Sequence, residues 1–292
     1  MPGRCHFYTV GASRLIRKLA AFSVAGLVIL VAYAAGSLNA SKTIEAPPVE
    51  WTEGNPAAEA WREWLVSLEA AGARVFATTA NPEERLAGLN YLAQLASVSL
   101  EMKLAKGDPA APAFTDWMSD YRKFLGDSPD AVYSTADVSA EYAYEITGNV
   151  GDTVYLGFML YGTSLNGWNR PGGNVSLGDM QISETGDFRL LLSTVRPHDY
   201  SGDWLELADD THMVMVRQYF HDRPGSREAS FSIRVLEQLE YEPLQEERVA
   251  TGLRAASKFF NDTLSGNIAL IEMISKNPNT FDVAPEYNAE FG

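Results

Sequence analysis

The chain has a single cysteine, Cys5, among its 292 residues. Disulfide frameworks and thiol chemistry are therefore excluded everywhere downstream of it. Cys5 also lies ahead of the apolar segment described below, whereas a lipid-anchoring cysteine would follow that segment. Equally absent are the glycine patterns of phosphate and dinucleotide loops, the G-x-S-x-G nucleophile elbow, and S-x-x-K with its supporting motifs. Histidine is scarce. Beyond His6 there are only His198, His212 and His221, with no H-x-H or H-x-x-x-H spacing, and His198 and His212 read as loop residues. Jelly rolls can gather ligands from separate strands, but this pattern gives no reason to expect a metal or any other cofactor.

Negative charge is missing from the start of the chain. The first acid is Glu45, and Arg4, Arg14, Arg17, Lys18 and Lys42 precede it. The remainder then carries 18 of the 23 Lys and Arg against all 38 acids, a formal charge of −20. So acidic a domain repels phosphate backbones, which argues against nucleic acid as a partner. With 46% hydrophobic and 21% charged residues, the composition is that of a globular protein, neither fibrous nor disordered.

One long apolar run is present. Leu19 to Leu38 reads LAAFSVAGLVILVAYAAGSL, 20 residues without a charge. At about 1.5 Å per residue this helix crosses the hydrocarbon core of a bilayer. Arg14, Arg17 and Lys18 immediately before it keep that side cytoplasmic and place the rest outside. The expectation is a bacterial inner-membrane protein, single-pass, with the bilayer as partner through residues 19–38. The alternative is a secretory signal, cleaved after Ala32-Tyr33-Ala34 or Leu38-Asn39-Ala40, which releases the chain to the periplasm.

Residues 1–18 then form a basic leader, 19–38 the membrane segment, and 39–56 a linker rich in proline. Residues 57–125 read as helical. Trp61, Trp64, Leu65 and Leu68 follow helical spacing, and Asn81-Pro82-Glu83-Glu84 is a helix start running to about Lys106, with Leu86, Leu89, Ala93, Ala96 and Leu100 on its apolar side. Phe114, Trp117, Met118 and Tyr121 suggest a third, shorter helix. From 126 to 240 the period changes to two. Tyr142 to Ile146, Val154 to Tyr161, Phe188 to Leu192, Met213 to Phe220 and Phe231 to Val235 read as strands between Gly, Pro and Asp turns. Residues 241–292 return to helix, with a break at Gly266. The fold class is α+β, with an antiparallel β-sandwich between helices.

The stretch from Tyr121 to Leu236 contains YRKFLGDSPDAVYS, then EYAYEITGNVGDTVYLGFMLYG, and WLEL followed by VRQYFHDR (Val216 to Arg223). These segments resemble the bacterial exported domain-of-unknown-function family 1214. The resemblance covers about 115 residues and implies a β-sandwich of jelly-roll type. It implies no activity and no catalytic residues, and the helices ahead of it do not resemble that family's usual companion domain.

Candidate site residues come from two places. Arg217, Tyr219, His221, Asp222 and Arg223 end an apolar strand, and alternation puts Arg217, Tyr219 and His221 on one face. An inward arginine either pairs with an internal carboxylate or binds a ligand's carboxylate, phosphate or sugar. Gly162 to Gly178 reads as a long loop with Trp168 and Arg170 near its tip, a common form of binding element. Asp199, Asp203, Asp209 and Asp210 crowd another loop, as solvated acids or as a cation or acid/base group. The function expected is a membrane-tethered binding or scaffold module with a glycan, lipid-like or protein ligand. The alternative is an envelope enzyme acting on a carbohydrate or lipid-like substrate.

Overall fold

A computed structural model describes residues 54–276, apart from 125, 127, 164–168 and 238–242. The apolar run at 19–38 and most of the expected linker lie outside the described residues. Among those described, no helix is long and apolar enough to cross a membrane.

Helix α1 spans Pro56–Thr78 and α2 spans Pro82–Leu100. Each starts on an asparagine cap followed by proline. The Asn55 side chain accepts from the Ala58 N–H and Asn81 from the Glu83 N–H, both at 2.9 Å. Proline at the first helical position lacks only a donor that would be unpaired there anyway. The short link between them makes a helical hairpin. Its buried stripes differ from those expected. In α1 the core side is Ala60, Trp64 and Ala71, while Trp61 and Leu65 face outward. In α2 it is Leu92, Leu95, Val98 and Ser99, with Leu86 exposed.

The reason is a third helix, α3, spanning Glu246–Lys276, which lies against both. Its Phe260 meets Trp64 edge-on at 5.5 Å between ring centroids. Gly252 lets α3 approach the turn after α2, since a Cβ there would meet Leu104 Cδ1 at 2.7 Å. The helix runs unbroken through Gly266, contrary to expectation. Glycine costs a helix only about 1 kcal/mol, and Ala250, Leu253, Ala256 and Phe260 anchor the preceding turns in the core.

After α2 the chain makes a π-turn over Glu101–Ala105. The helix expected around Phe114 to Tyr121 is instead extended. Strand β1, Thr115–Asp116, pairs with β2, Ala131–Asp137. The aromatic residues here face different partners, Phe114 against Phe231 and Trp117 against Phe124, which a single helical stripe could not satisfy.

The remaining strands are β3 (Tyr144–Asn149), β4 (Tyr155–Thr163), β5 (Asn169–Ser176), β6 (Asp187–Ser193), β7 (Asp203–Glu206), β8 (Thr211–Tyr219) and β9 (Ser230–Val235). One sheet has the order β1-β2-β8-β4-β5 and the other β7-β6-β3-β9. All described pairings are antiparallel except β6–β7, which is parallel. A wholly antiparallel arrangement was expected. The connection through 194–202 carries the chain back before β7 begins, so the two strands run the same way. Both sheets contribute to one core, with Phe158, Val214 and Val216 from the first and Ile146, Leu190 and Ile233 from the second.

Candidate functional site

Strand β8 is apolar on both faces, which is why its sequence shows little polar alternation. Val214 and Val216 enter the core between the sheets, and Gln218, on the same side, accepts from the Ala229 N–H at 2.8 Å. Met213, Met215, Arg217 and Tyr219 occupy the opposite face. Tyr133 lies directly across from Arg217 on β2, and Gly157 directly across on β4. The face is completed by Met159, Tyr161 and Tyr155.

Arg217 sits half-buried among these tyrosines and methionines, of which Tyr161, Met213 and Met215 are buried. Its guanidinium donates to the Tyr161 hydroxyl at 2.6 Å and lies 3.4 Å from the Met159 sulfur. Among the described residues no carboxylate pairs with it. Of the five N–H groups of a guanidinium, two have acceptors among the described residues. The internal Arg–Asp pair weighed as an alternative is not found among the described residues.

The tyrosines form a linked set around it. The Tyr133 and Tyr219 hydroxyls share a hydrogen bond at 3.2 Å, and Tyr155 meets Tyr219 ring to ring at 5.4 Å. Burial, reinforced by the Tyr219 hydroxyl, pushes the Tyr133 phenol up to about 12 against the opposing pull of Arg217. Gly157 has a specific purpose here. The Tyr155 ring folds across it, and a Cβ at 157 would stand 2.4 Å from the Tyr155 oxygen.

The other expected residues are elsewhere. His221 and Asp222 are exposed beyond the end of β8, and no hydrogen bond joins their side chains to Arg217 or Tyr219. Arg223 begins a short 3-10 turn and pairs with Glu228 at 3.2 Å. Arg170 is on β5, inside what read as a loop, and pairs with Asp210. That hydrogen bond, with the Arg170 charge and the Thr163 N–H, holds the Asp210 carboxyl below its ordinary range. Trp168 lies outside the described residues.

The acids of the 197–211 stretch do not form one cluster. Asp203 opens β7, Asp199 pairs with His198, and Asp210 is taken by Arg170. His212 belongs to β8, not to a loop, with its Nδ1 buried and without a partner among the described residues. Among the described residues no group of three His, Cys, Asp or Glu side chains could hold a metal ion. Tyr133, Tyr155, Met159, Tyr161, Met213 and Met215 were not singled out from the sequence. Met213 and Met215 follow from the period-two reading of β8, whereas the others join it only through pairing with β2 and β4.

No family model matches the chain, and no curated protein does. Among solved structures it is similar to an uncharacterized protein from Burkholderia cenocepacia, with 27% identity and a TM-score of 0.64 over 71% of this chain and 58% of that one. The chain thus spans a little over half the length of that relative. A protein from Vibrio parahaemolyticus matches at 14% identity and a TM-score of 0.30, over 55% of this chain and 47% of that one.

Proposed function

We propose that the chain is a membrane-tethered binding module of the bacterial envelope. It is held in the bilayer by residues 19–38 and receives an anionic, partly apolar ligand on the outer face of its five-stranded sheet. The proposal includes a jelly-roll sandwich related to domain-of-unknown-function family 1214, supported by the core the two sheets share. The single observation that carries the binding reading is Arg217, a half-buried cation held by a phenol and a thioether with no carboxylate among the described residues to neutralise it. Removing water from a charge is unfavourable until a counter-charge arrives, and a ligand carboxylate would supply one. Met159 beside it is flexible and polarizable, suited to an alkyl chain, while Met213 and Met215 are buried beneath.

Binding is preferred to an enzyme acting on a carbohydrate or lipid-like substrate for one structural reason. His221 and Asp222, the natural acid/base pair, share no hydrogen bond with Arg217 or Tyr219. The test is methionine-methyl NMR on the full chain in phosphatidylcholine nanodiscs. Octanoate is expected to shift the Met159 methyl resonance, and octan-1-ol to do so only at far higher concentration. Equal responses to acid and alcohol would overturn the proposal, as would no response to octanoate.

A further inference from the structure

The outer face of the other sheet carries a second cluster, independent of Arg217. Glu145 on β3 is 6% exposed, yet each of its oxygens meets a different arginine, Arg189 of β6 and Arg234 of β9. Both arginine side chains remain more than half exposed. The carboxylate is thus a buried mount that fixes two guanidiniums at the surface with donors to spare.

A loop closes one side of this pair. Arg196 lies over the Trp204 ring at 5.9 Å and donates to the Tyr200 and Gly202 carbonyls at 3.2 and 3.0 Å. Tyr200, its phenol raised by burial, sits in the field of Arg189, Asp203, Glu145 and Arg196. Arg189 and Arg234 thus share the single carboxylate of Glu145, and this trio carries one net positive charge.

Beside Arg189 opens a cleft of about 650 Å3, walled by Gln181, Ser183, Tyr200, Ser201 and Asp203. Its walls mix donors and acceptors. The Gln181 amide nitrogen is spent on the Ser201 carbonyl, but its side-chain oxygen has no partner among the described residues. Asp187, Asp199 and Asp203 also line the cleft, Asp187 accepting from Asn149 and Thr185 and Asp199 beside His198, and their carboxylates are acceptors for ligand hydroxyls.

We propose that this cleft binds an acidic saccharide, with its hydroxyls on the polar wall and one ring carboxylate on the exposed edges of Arg189 and Arg234. A polar wall of alternating donors and acceptors suits a polyol, and a volume of a few hundred Å3 suits one to three sugar rings. The one net positive charge of the Arg189–Glu145–Arg234 trio matches a carboxylate monoanion. Planar, bidentate recognition of a carboxylate is what a fixed guanidinium does best.

The test is calorimetric titration of the full chain in phosphatidylcholine nanodiscs with trigalacturonic acid and with its methyl ester, the same sugar without charge. The acid is expected to bind and the ester to bind at least about tenfold more weakly, the equivalent of about 1.4 kcal/mol. Arg234→Gln should weaken the acid by a similar factor with an unchanged melting temperature, and Arg217→Met should leave it untouched. Should Arg234→Gln not fold, Gln181→Ala on the cleft wall serves in its place and should weaken binding several-fold. Equal affinity for acid and ester, no heat at millimolar acid, or full affinity in a folded wall variant would overturn the proposal.

Discussion

The Arg217 guanidinium donates to the Tyr161 hydroxyl at 2.6 Å, from β8 to β4, and shares no carboxylate among the described residues. A charge so placed stabilises the fold little, because its desolvation is not offset by a counter-ion. Arg217→Met keeps a long apolar stem and removes the charge. Its melting temperature in thermal denaturation is expected to equal or exceed that of the parent. Tyr161→Phe, which strips the guanidinium of its acceptor, should instead cost about 1 kcal/mol.

Tyr133 governs the alkaline limit of this face. Its folded pKa of about 12 lies above the ordinary tyrosine value, with burial as the main cause. A raised acid pKa means that the neutral form is favoured in the folded state. The associated stability is present below about pH 10 and is lost as pH rises through 12. Denaturant melts over that window should fall more steeply for the parent than for Tyr133→Phe.

Glu101 sets a corresponding acid dependence among the helices. Burial alone would raise its carboxyl, but hydrogen bonds and charge from Lys106 and Arg122 outweigh burial and lower it. For a depressed carboxyl, the stability is present above the ordinary glutamate value of about 4.3 and is lost as pH falls through the folded pKa. Glu101→Gln should flatten the acid limb of the stability curve and leave neutral-pH folding intact, as urea melts at several pH values would record.

Trp64 is the anchor of the helical layer, 2% exposed and edge-on to Phe260. Trp64→Ala is expected to cost about 3–5 kcal/mol through lost burial and the cavity it leaves. A double-mutant cycle with Phe260→Leu should isolate about 0.5–1.5 kcal/mol of pair energy.

The helix starts were legible because Asn-Pro pairs at 55–56 and 81–82 act locally, through a cap and a fixed φ. Strands β4, β6, β8 and β9 were legible from their aliphatic and aromatic runs. Strand β2 was missed because its buried residues include Ser134 and Thr135, which are polar and reach the interior only where they are bonded, Ser134 to Asp116 and Thr135 to Trp117. Strand β5 was hidden by Pro171-Gly172-Gly173, turn-forming residues tolerated at a sheet edge. The buried stripe of α2 was misplaced because it depends on α3, more than 140 residues later in the chain. For the candidate site, Arg217 and Tyr219 were readable from one strand. The tyrosines and methionines brought beside them by β2 and β4 required the pairing, which no local pattern encodes.

The most direct measurement is calorimetric titration of octanoate into the full chain and its Arg217→Met variant, each in phosphatidylcholine nanodiscs. If the unneutralised guanidinium receives the ligand's carboxylate, the folded variant should lose at least about tenfold in affinity, about 1.4 kcal/mol, while octan-1-ol binds both forms alike. Unchanged octanoate affinity in a folded Arg217→Met variant would contradict the account.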